Sequence, residues 1–222
     1  MKAVEIKNVT KQFGSRTIIN NFSLDIEEGE FVAIIGKSGC GKSTLLNMIG
    51  LLESVDLGEI RINNQKLPAI NSRAATLMRR NTINYLFQSY ALISNMTVKD
   101  NLLMALQYVK EHQNTKIELV NDVLKKLEIE TLINDDVNTL SGGEQQRVAV
   151  ARTILKPGDI ILADEPTGSL DPNLAHLSFN LVKDLRDTYK KTVVLVTHNM
   201  EQAQQADRII NLNDYSNSMS NI

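Results

Sequence analysis

The sequence predicts an α/β fold: a mainly parallel sheet, an antiparallel β patch near the N-terminus and an inserted helical lobe. Three observations carry this. Four short apolar runs punctuate the chain: Phe31-Val32-Ala33-Ile34-Ile35, Ile83-Asn84-Tyr85-Leu86-Phe87, Ile160-Ile161-Leu162-Ala163 and Val193-Val194-Leu195-Val196. Runs this continuous suit strands covered on both faces, the habit of parallel sheets, and helical patterns follow or separate them. Residues 4–30 instead alternate apolar and polar, as do Ile60-Arg61-Ile62 after Gly58, which is the pattern of antiparallel strands with one wet face.

Residues 89–155 are helical in pattern and hold no strong strand, so they form the inserted lobe. Its opening carries a cap signature, Thr97-x-x-Asp100. Further on, Ile117, Val120, Val123, Leu124 and Leu127 recur at helical spacing and read as core packing. The expected organisation is a single domain over residues 1–222. Residues 1–88 and 156–222 make its core, and 89–155 its helical lobe. The last eight residues are polar and expected to fray.

Composition narrows the class. A chain of 222 residues with 42% hydrophobic and 23% charged residues reads as an ordinary soluble globular protein. A net charge of −2 gives no general attraction to nucleic acid. Cys40 stands alone, so no intrachain disulfide forms and a reducing cytosol is expected. The start, Met1-Lys2-Ala3-Val4-Glu5, lacks the apolar core of a signal peptide. No apolar run approaches the roughly 20 residues needed to span a bilayer. Any membrane role is expected to run through a partner.

Gly36-Lys37-Ser38-Gly39-Cys40-Gly41-Lys42-Ser43, followed by Thr44, fits G-x-x-x-x-G-K-[ST]. An apolar run ends at Ile35 and a helical pattern opens near Lys42, which is the context the motif requires. Glycines let the backbone curl so that several N–H groups face one phosphate, and the helix N-terminus adds partial positive charge. Lys42 is placed to reach the β- and γ-phosphates, and the Ser43 hydroxyl to ligate Mg²⁺. The motif marks a P-loop NTPase and says nothing of what the energy is used for.

The second apolar run to matter, Asp159-Ile160-Ile161-Leu162-Ala163-Asp164-Glu165, ends in two acids. In open α/β sheets ligands bind at such strand ends. Asp164 is the expected holder of Mg²⁺. Glu165 is spare for the metal and is the expected base for an attacking water.

Leu140-Ser141-Gly142-Gly143-Glu144-Gln145-Gln146-Arg147 contains a helix-capping box, Ser141-x-x-Glu144. The helix would run to a stop at Pro157. A second helix N-terminus, with glycines for close approach, thus stands ready to meet an anion.

This segment resembles the signature motif of the ABC ATPase family, and the resemblance covers nearly the whole chain in the family's order. Phe13 stands where an aromatic residue stacks on adenine. Gly36, Lys37, Ser38, Gly39, Cys40, Gly41, Lys42, Ser43 and Thr44 match the Walker A loop, Gln88 the Q-loop and Ser141, Gly142, Gly143 and Glu144 the signature. Asp164 and Glu165 end the Walker B strand, Ser169-Leu170-Asp171 matches the D-loop, and His198 the switch histidine. The resemblance implies a RecA-like core binding ATP and Mg²⁺. It makes Glu165, His198, Lys42 and Gln88 catalytic, gives the metal to Ser43, Gln88 and Asp164, and places Asp171 at the nucleotide interface. It also implies a head-to-tail homodimer, in which Ser141 of one copy completes the γ-phosphate site of the other. His112 and His176 match nothing and are expected to be surface residues.

Leu162 through Asp171, Leu45-Leu46-Asn47-Met48-Ile49-Gly50 and the compact ending after Ala206-Asp207-Arg208-Ile209-Ile210 resemble ATPases of the lipoprotein-releasing and macrolide-efflux type. Residues 85–93 further resemble the bacteriocin-export branch. Ser169 replaces the subgroup's usual Asn, and Cys40 its usual Ser or Ala. These resemblances imply an ATPase coupled to transport. It would lie at the cytoplasmic face of the cell membrane, driving a permease that docks near residues 88–101 and exports a peptide, lipoprotein or drug-like amphiphile. Tyr90, Leu92, Ile93 and Met96 are expected to form the apolar docking cluster. A non-transport ATPase that works a membrane signalling partner to control cell-wall enzymes is the alternative. Too few residues separate Gln88 from Ser141 for the coiled coil of DNA-repair relatives, so no nucleic-acid partner is expected.

Overall fold

Two sheets and the helices between them build the chain, described here from a computed structural model over residues 1–87, 89–168 and 172–216. Strands β1 (Lys2–Phe13) and β2 (Arg16–Glu27) form a long antiparallel hairpin. Strand β3 (Phe31–Ile35) leads into the glycine-rich loop and helix α1 (Lys42–Ile49). Strands β4 (Leu57–Ile62) and β5 (Gln65–Lys66) return to the first sheet. Then come α2 (Arg73–Asn81), β6 (Ile83–Leu86), α3 (Val98–Ala105), α4 (Gln113–Lys126) and α5 (Gly142–Leu155). Strand β7 (Ile160–Asp164), α6 (Pro172–Asp187), β8 (Thr192–Val196), α7 (Met200–Ala203), β9 (Arg208–Asn211) and α8 (Asn213–Ser216) close the chain.

The first sheet has order β2-β1-β4-β5, with antiparallel pairing. The second has order β6-β7-β8-β3-β9 and is parallel throughout. The four apolar runs are its first four strands, the edge strand β6 and the three inner strands β7, β8 and β3. Their continuity has the expected cause, since both faces are covered. Val32, Ile34, Ile160, Leu162, Val194 and Val196 face a core shared with β1, β2, β4 and α1. Phe31, Ile161, Ala163, Val193 and Leu195 face the opposite way, into a core that continues through α3, α4, α5 and α6. The helical lobe is therefore packed as an extension of the sheet's second face.

The predicted caps are present. Thr97 accepts from the Asp100 N–H at the start of α3. Val120, Val123 and Leu124 line the buried face of α4. Helix α2 and strand β9 lie outside the elements read from the sequence. Only Ala75 of α2 is buried, and β9 is a half-exposed edge strand, so neither carries a strong apolar signal.

Candidate functional site

The loop between β3 and α1 is built to face an anion. Gly41 occupies the N-cap position of α1 at φ 102°, and an added Cβ would stand 2.7 Å from Ile18 Cγ2. That backbone region and that closeness exclude a side chain. The first intrahelical bond of α1 runs from Leu45 N to Gly41 O, 2.8 Å, so the preceding N–H groups of the helix start have no intrahelical acceptor. Lys42 is buried, and its Nζ donates to the carbonyls of Gly36 (2.9 Å) and Lys37 (3.2 Å). Its ammonium is thus held inside the loop's curve. Asn213 of α8 accepts from the Lys37 N–H at 3.1 Å, tying the end of the described chain to the loop.

Cys40 is half-buried against the core, and its Sγ lies 2.6 Å from where a Cβ on Gly36 would sit. The thiol therefore packs behind the loop, and the part of Cys40 available to a phosphate is its backbone. Phe13, at the end of β1, is half-exposed with the Lys11 Nζ 5.0 Å from its ring centroid. Because Ile18 of β2 lies against Gly41, this hairpin end and its exposed aromatic ring lie beside the loop.

Strand β7 delivers Asp164 to the same edge. The Ser43 hydroxyl donates to Asp164 Oδ1 at 3.0 Å. Burial pushes the Asp164 carboxyl above its usual range, the Ser43 bond pulls it down, and Glu165 next to it pushes it up again. Lys42 nearby pulls it down as well without cancelling the burial, so this half-buried carboxylate is one that a further cation would stabilise. Two hard oxygen donors, a hydroxyl and a carboxylate, fit Mg²⁺.

Glu165 takes a left-handed backbone, φ 44°. Such a conformation is costly for a residue with a side chain and marks a constrained site. Its N–H donates to Val196 O at 2.9 Å, and its own carbonyl accepts from Gly168 N at 3.0 Å. These bonds aim the side chain at the loop after β8, where His198 Nδ1 lies 3.0 Å from Glu165 Oε2. The turn that follows Glu165 is gripped from both sides. Fully buried Gln146 of α5 donates to Pro166 O at 3.0 Å, and Gln202 of α7 bonds the Thr167 hydroxyl.

The capping box at α5 is complete. Glu144 Oε2 accepts from the Ser141 N–H (2.8 Å) and hydroxyl (2.6 Å), and Ser141 Oγ accepts from the Glu144 N–H (3.4 Å). These Ser141 bonds hold the Glu144 carboxyl below its usual range. The Glu144 carboxylate is therefore spent on the helix start, and it holds Ser141 in place. Ser141 and Gly142 are exposed and Gly143 is buried.

The structure thus gathers Lys42, Ser43, Asp164, Glu165 and His198 at the carboxyl ends of β3, β7 and β8. Gln88, Asp171 and the rest of Ser169-Leu170-Asp171 lie outside the described residues. Among the expected docking residues there is a correction. Tyr90 is buried in the helical core and Leu92 packs against it, while Ile93 is exposed and Met96 half-buried. Tyr90 and Ala91 both take positive φ, which turns the chain and drives the Tyr90 ring inward. Arg152 of α5 fixes that turn by donating to the Tyr90 and Ala91 carbonyls. Asn101 holds the next segment through Ile93, Met96 and Thr97. Sequence reasoning missed Gln146, Gln202, Asn101 and Arg152, because lone polar residues in helices carry no spacing signal. Among the described residues no helix is long and apolar enough to cross a membrane.

A family model described as ABC transporter matches residues 19–168. The macrolide export ATP-binding/permease protein MacB of Campylobacter jejuni is 38% identical over 209 residues, 94% of this chain and 32% of the relative. The spermidine/putrescine import ATP-binding protein PotA of Legionella pneumophila is also 38% identical, over 95% of this chain and 56% of its own length. The chain therefore spans about a third of its MacB relatives and little over half of PotA. Among solved structures, the ATP-binding cassette MJ0796, in a dimeric post-hydrolysis state bound to ADP and Pi, is 39% identical. Its TM-score is 0.83, with 94% of this chain and 93% of that one covered.

Proposed function

The chain belongs to the ABC transporter family, and on that premise we propose that it binds and hydrolyses ATP as a head-to-tail homodimer that drives a membrane permease. The observation that carries this reading is one edge of one sheet. There the phosphate loop, the Ser43–Asp164 pair and the Glu165–His198 pair converge.

Lys42 and the free N–H groups of α1 receive the β- and γ-phosphates. Ser43 and Asp164 would hold Mg²⁺, with Gln88 a third candidate ligand, and the metal would neutralise charge on the phosphate oxygens. Glu165 accepts a proton from the attacking water, and His198 keeps its carboxylate aimed. The water oxygen bonds to the γ-phosphorus, and ADP leaves. Phe13 offers the adenine a ring to stack on. Ser141 presents a capped helix N-terminus outward, toward the γ-phosphate on a second copy, and Asp171 belongs to the same interface. The dimeric form of the MJ0796 cassette supports the pairing.

The MacB relatives, named for macrolide export, support the export reading; the cargo proposed is a peptide, lipoprotein or drug-like amphiphile, moved from the cytoplasmic face of the membrane. The permease docks near residues 88–101, with Ile93 and Met96 as its apolar contacts. The test is phosphate release by the purified chain with ATP and Mg²⁺. The wild type releases phosphate, and Lys42→Ala loses ATP binding and turnover together. A wild type that neither binds nor cleaves ATP, or a Lys42→Ala variant that turns over normally, refutes the reading.

A further inference from the structure

We infer that Gln202 is a positioning residue: one buried amide that locks the loop carrying Glu165 to the loop carrying His198. The inference rests on the ATPase reading above. Glu165 and His198 leave different strands, β7 and β8, and meet at 3.0 Å. The His198 side chain is 67% exposed. A contact so open to water holds little by itself. Their alignment must be set from beneath.

Beneath lies a closed trio. Thr167 stands two residues after Glu165, and Thr197 one residue before His198. Both hydroxyls donate to Gln202 Oε1, from Thr167 at 3.2 Å and from Thr197 at 3.3 Å. Gln202 Nε2 donates back to Thr167 Oγ1 at 2.9 Å. Thr167, Thr197 and Gln202 are 8%, 3% and 6% exposed. Bonds this sheltered are strong, and leaving one of their groups unpaired is costly. Gln202 is itself fixed. Asn199 caps α7 by accepting from the Glu201 and Gln202 N–H groups, and the Asn199 N–H donates to Thr197 Oγ1. A cavity of about 320 Å³, lined in part by Glu165, Thr167, Thr197, His198 and Gln202, flanks the trio. The two loops therefore have space to part once the amide is removed. An amide suits the task because its oxygen accepts from both loops while its nitrogen repays one of them.

Among the described residues the trio's side-chain hydrogen bonds go to one another and to the Asn199 N–H, and those of Lys42, Ser43 and Asp164 go elsewhere, so ATP binding and ATP cleavage separate. Gln202→Leu is expected to lower kcat by about 10–100-fold, the cost of misplacing a catalytic group by a fraction of an ångström to an ångström, with KM for ATP unchanged. Gln202→Glu keeps an oxygen for both hydroxyls and restores kcat toward wild type. Thr197→Val cuts one link and lowers kcat less. Combined with Gln202→Leu it adds nothing further, because the link is already gone. Thr197→Val also serves if Gln202→Leu does not fold. Wild-type kcat in Gln202→Leu overturns the inference. So does a loss shared equally by kcat, KM and thermal stability with no rescue by Gln202→Glu. A wild type without ATPase activity instead overturns the functional reading beneath it.

Discussion

Replacing Ser141 by Ala separates a helix cap from a ligand donor, because the structure bounds what the cap alone is worth. Ser141 Oγ accepts from the Glu144 N–H at 3.4 Å, a long bond, and donates to Glu144 Oε2 at 2.6 Å. The Ser141 N–H donates to the same carboxylate at 2.8 Å, and that backbone bond survives the substitution. Losing a Ser N-cap costs about 1 kcal/mol. With half of the capping box retained and the site exposed, about 0.5–1 kcal/mol is the reasonable share here. In a chain of this length that lowers the Tm by roughly 1–4 °C. If Ser141 also donates to the γ-phosphate across a dimer, its removal costs ~10²–10³-fold in kcat, the magnitude of a lost oxyanion donor. The assay pairs thermal melts with steady-state ATPase on one preparation. A melt within a few degrees of wild type, with turnover nearly abolished, is expected. Full turnover with the same small shift would leave Ser141 as a cap only, and a collapse of the melt would attribute the loss to unfolding.

Three further outcomes follow from the geometry. Gly41→Ala places a Cβ 2.7 Å from Ile18 Cγ2 at φ 102°. It should destabilise by about 1–3 kcal/mol and weaken ATP binding; a variant with wild-type affinity contradicts the loop's assignment. Lys156 is half-buried, its Nζ donating to the Arg79 and Ile83 carbonyls, and burial, then the nearby Arg152, pushes its pKa from 10.5 down to about 8. Between those values the unfolded chain binds the extra proton, so Lys156 contributes a gain in stability as pH rises from about 8 towards 10.5. Melts of wild type and Lys156→Met should converge or cross over that range, and parallel curves would show the ammonium to be well solvated. Gln146→Leu removes the amide that holds the Pro166 carbonyl. It should lower kcat while leaving ATP affinity intact, and coupled losses in both would assign Gln146 to packing alone.

Four of the five parallel strands were legible because burial on both faces leaves no room for polar residues, and runs such as Phe31–Ile35 and Thr192–Val196 are nearly pure. The hairpin was legible as alternation, but its two strands merged into one stretch, since the turn at Gly14 is only two residues long. Helix α2 and strand β9 escaped because exposure, not burial, dominates them. The site motifs were legible because phosphate binding dictates glycine, lysine and hydroxyl in fixed order. What supports them was not. Gln146, Gln202, Asn101 and Arg152 act through bonds to distant loops, and only folding brings those partners near. Tyr90 read as a surface aromatic because the turn that buries it depends on two positive φ angles in residues other than glycine.

The central claim is that a capped helix on one copy completes the ATP site of another, and Glu165→Gln tests it most directly. The amide keeps the side chain's shape and its contact with His198 but cannot take a proton, so turnover should fall by ~10²–10⁴-fold while ATP stays bound. The measurement is mass by light scattering on this variant with and without ATP and Mg²⁺, against a chain mass of 24.8 kDa. The account predicts monomer without nucleotide and a stable dimer with ATP, lost again when Ser141→Ala is added. A Glu165→Gln chain that binds ATP and remains a monomer, or that hydrolyses at the wild-type rate, contradicts it.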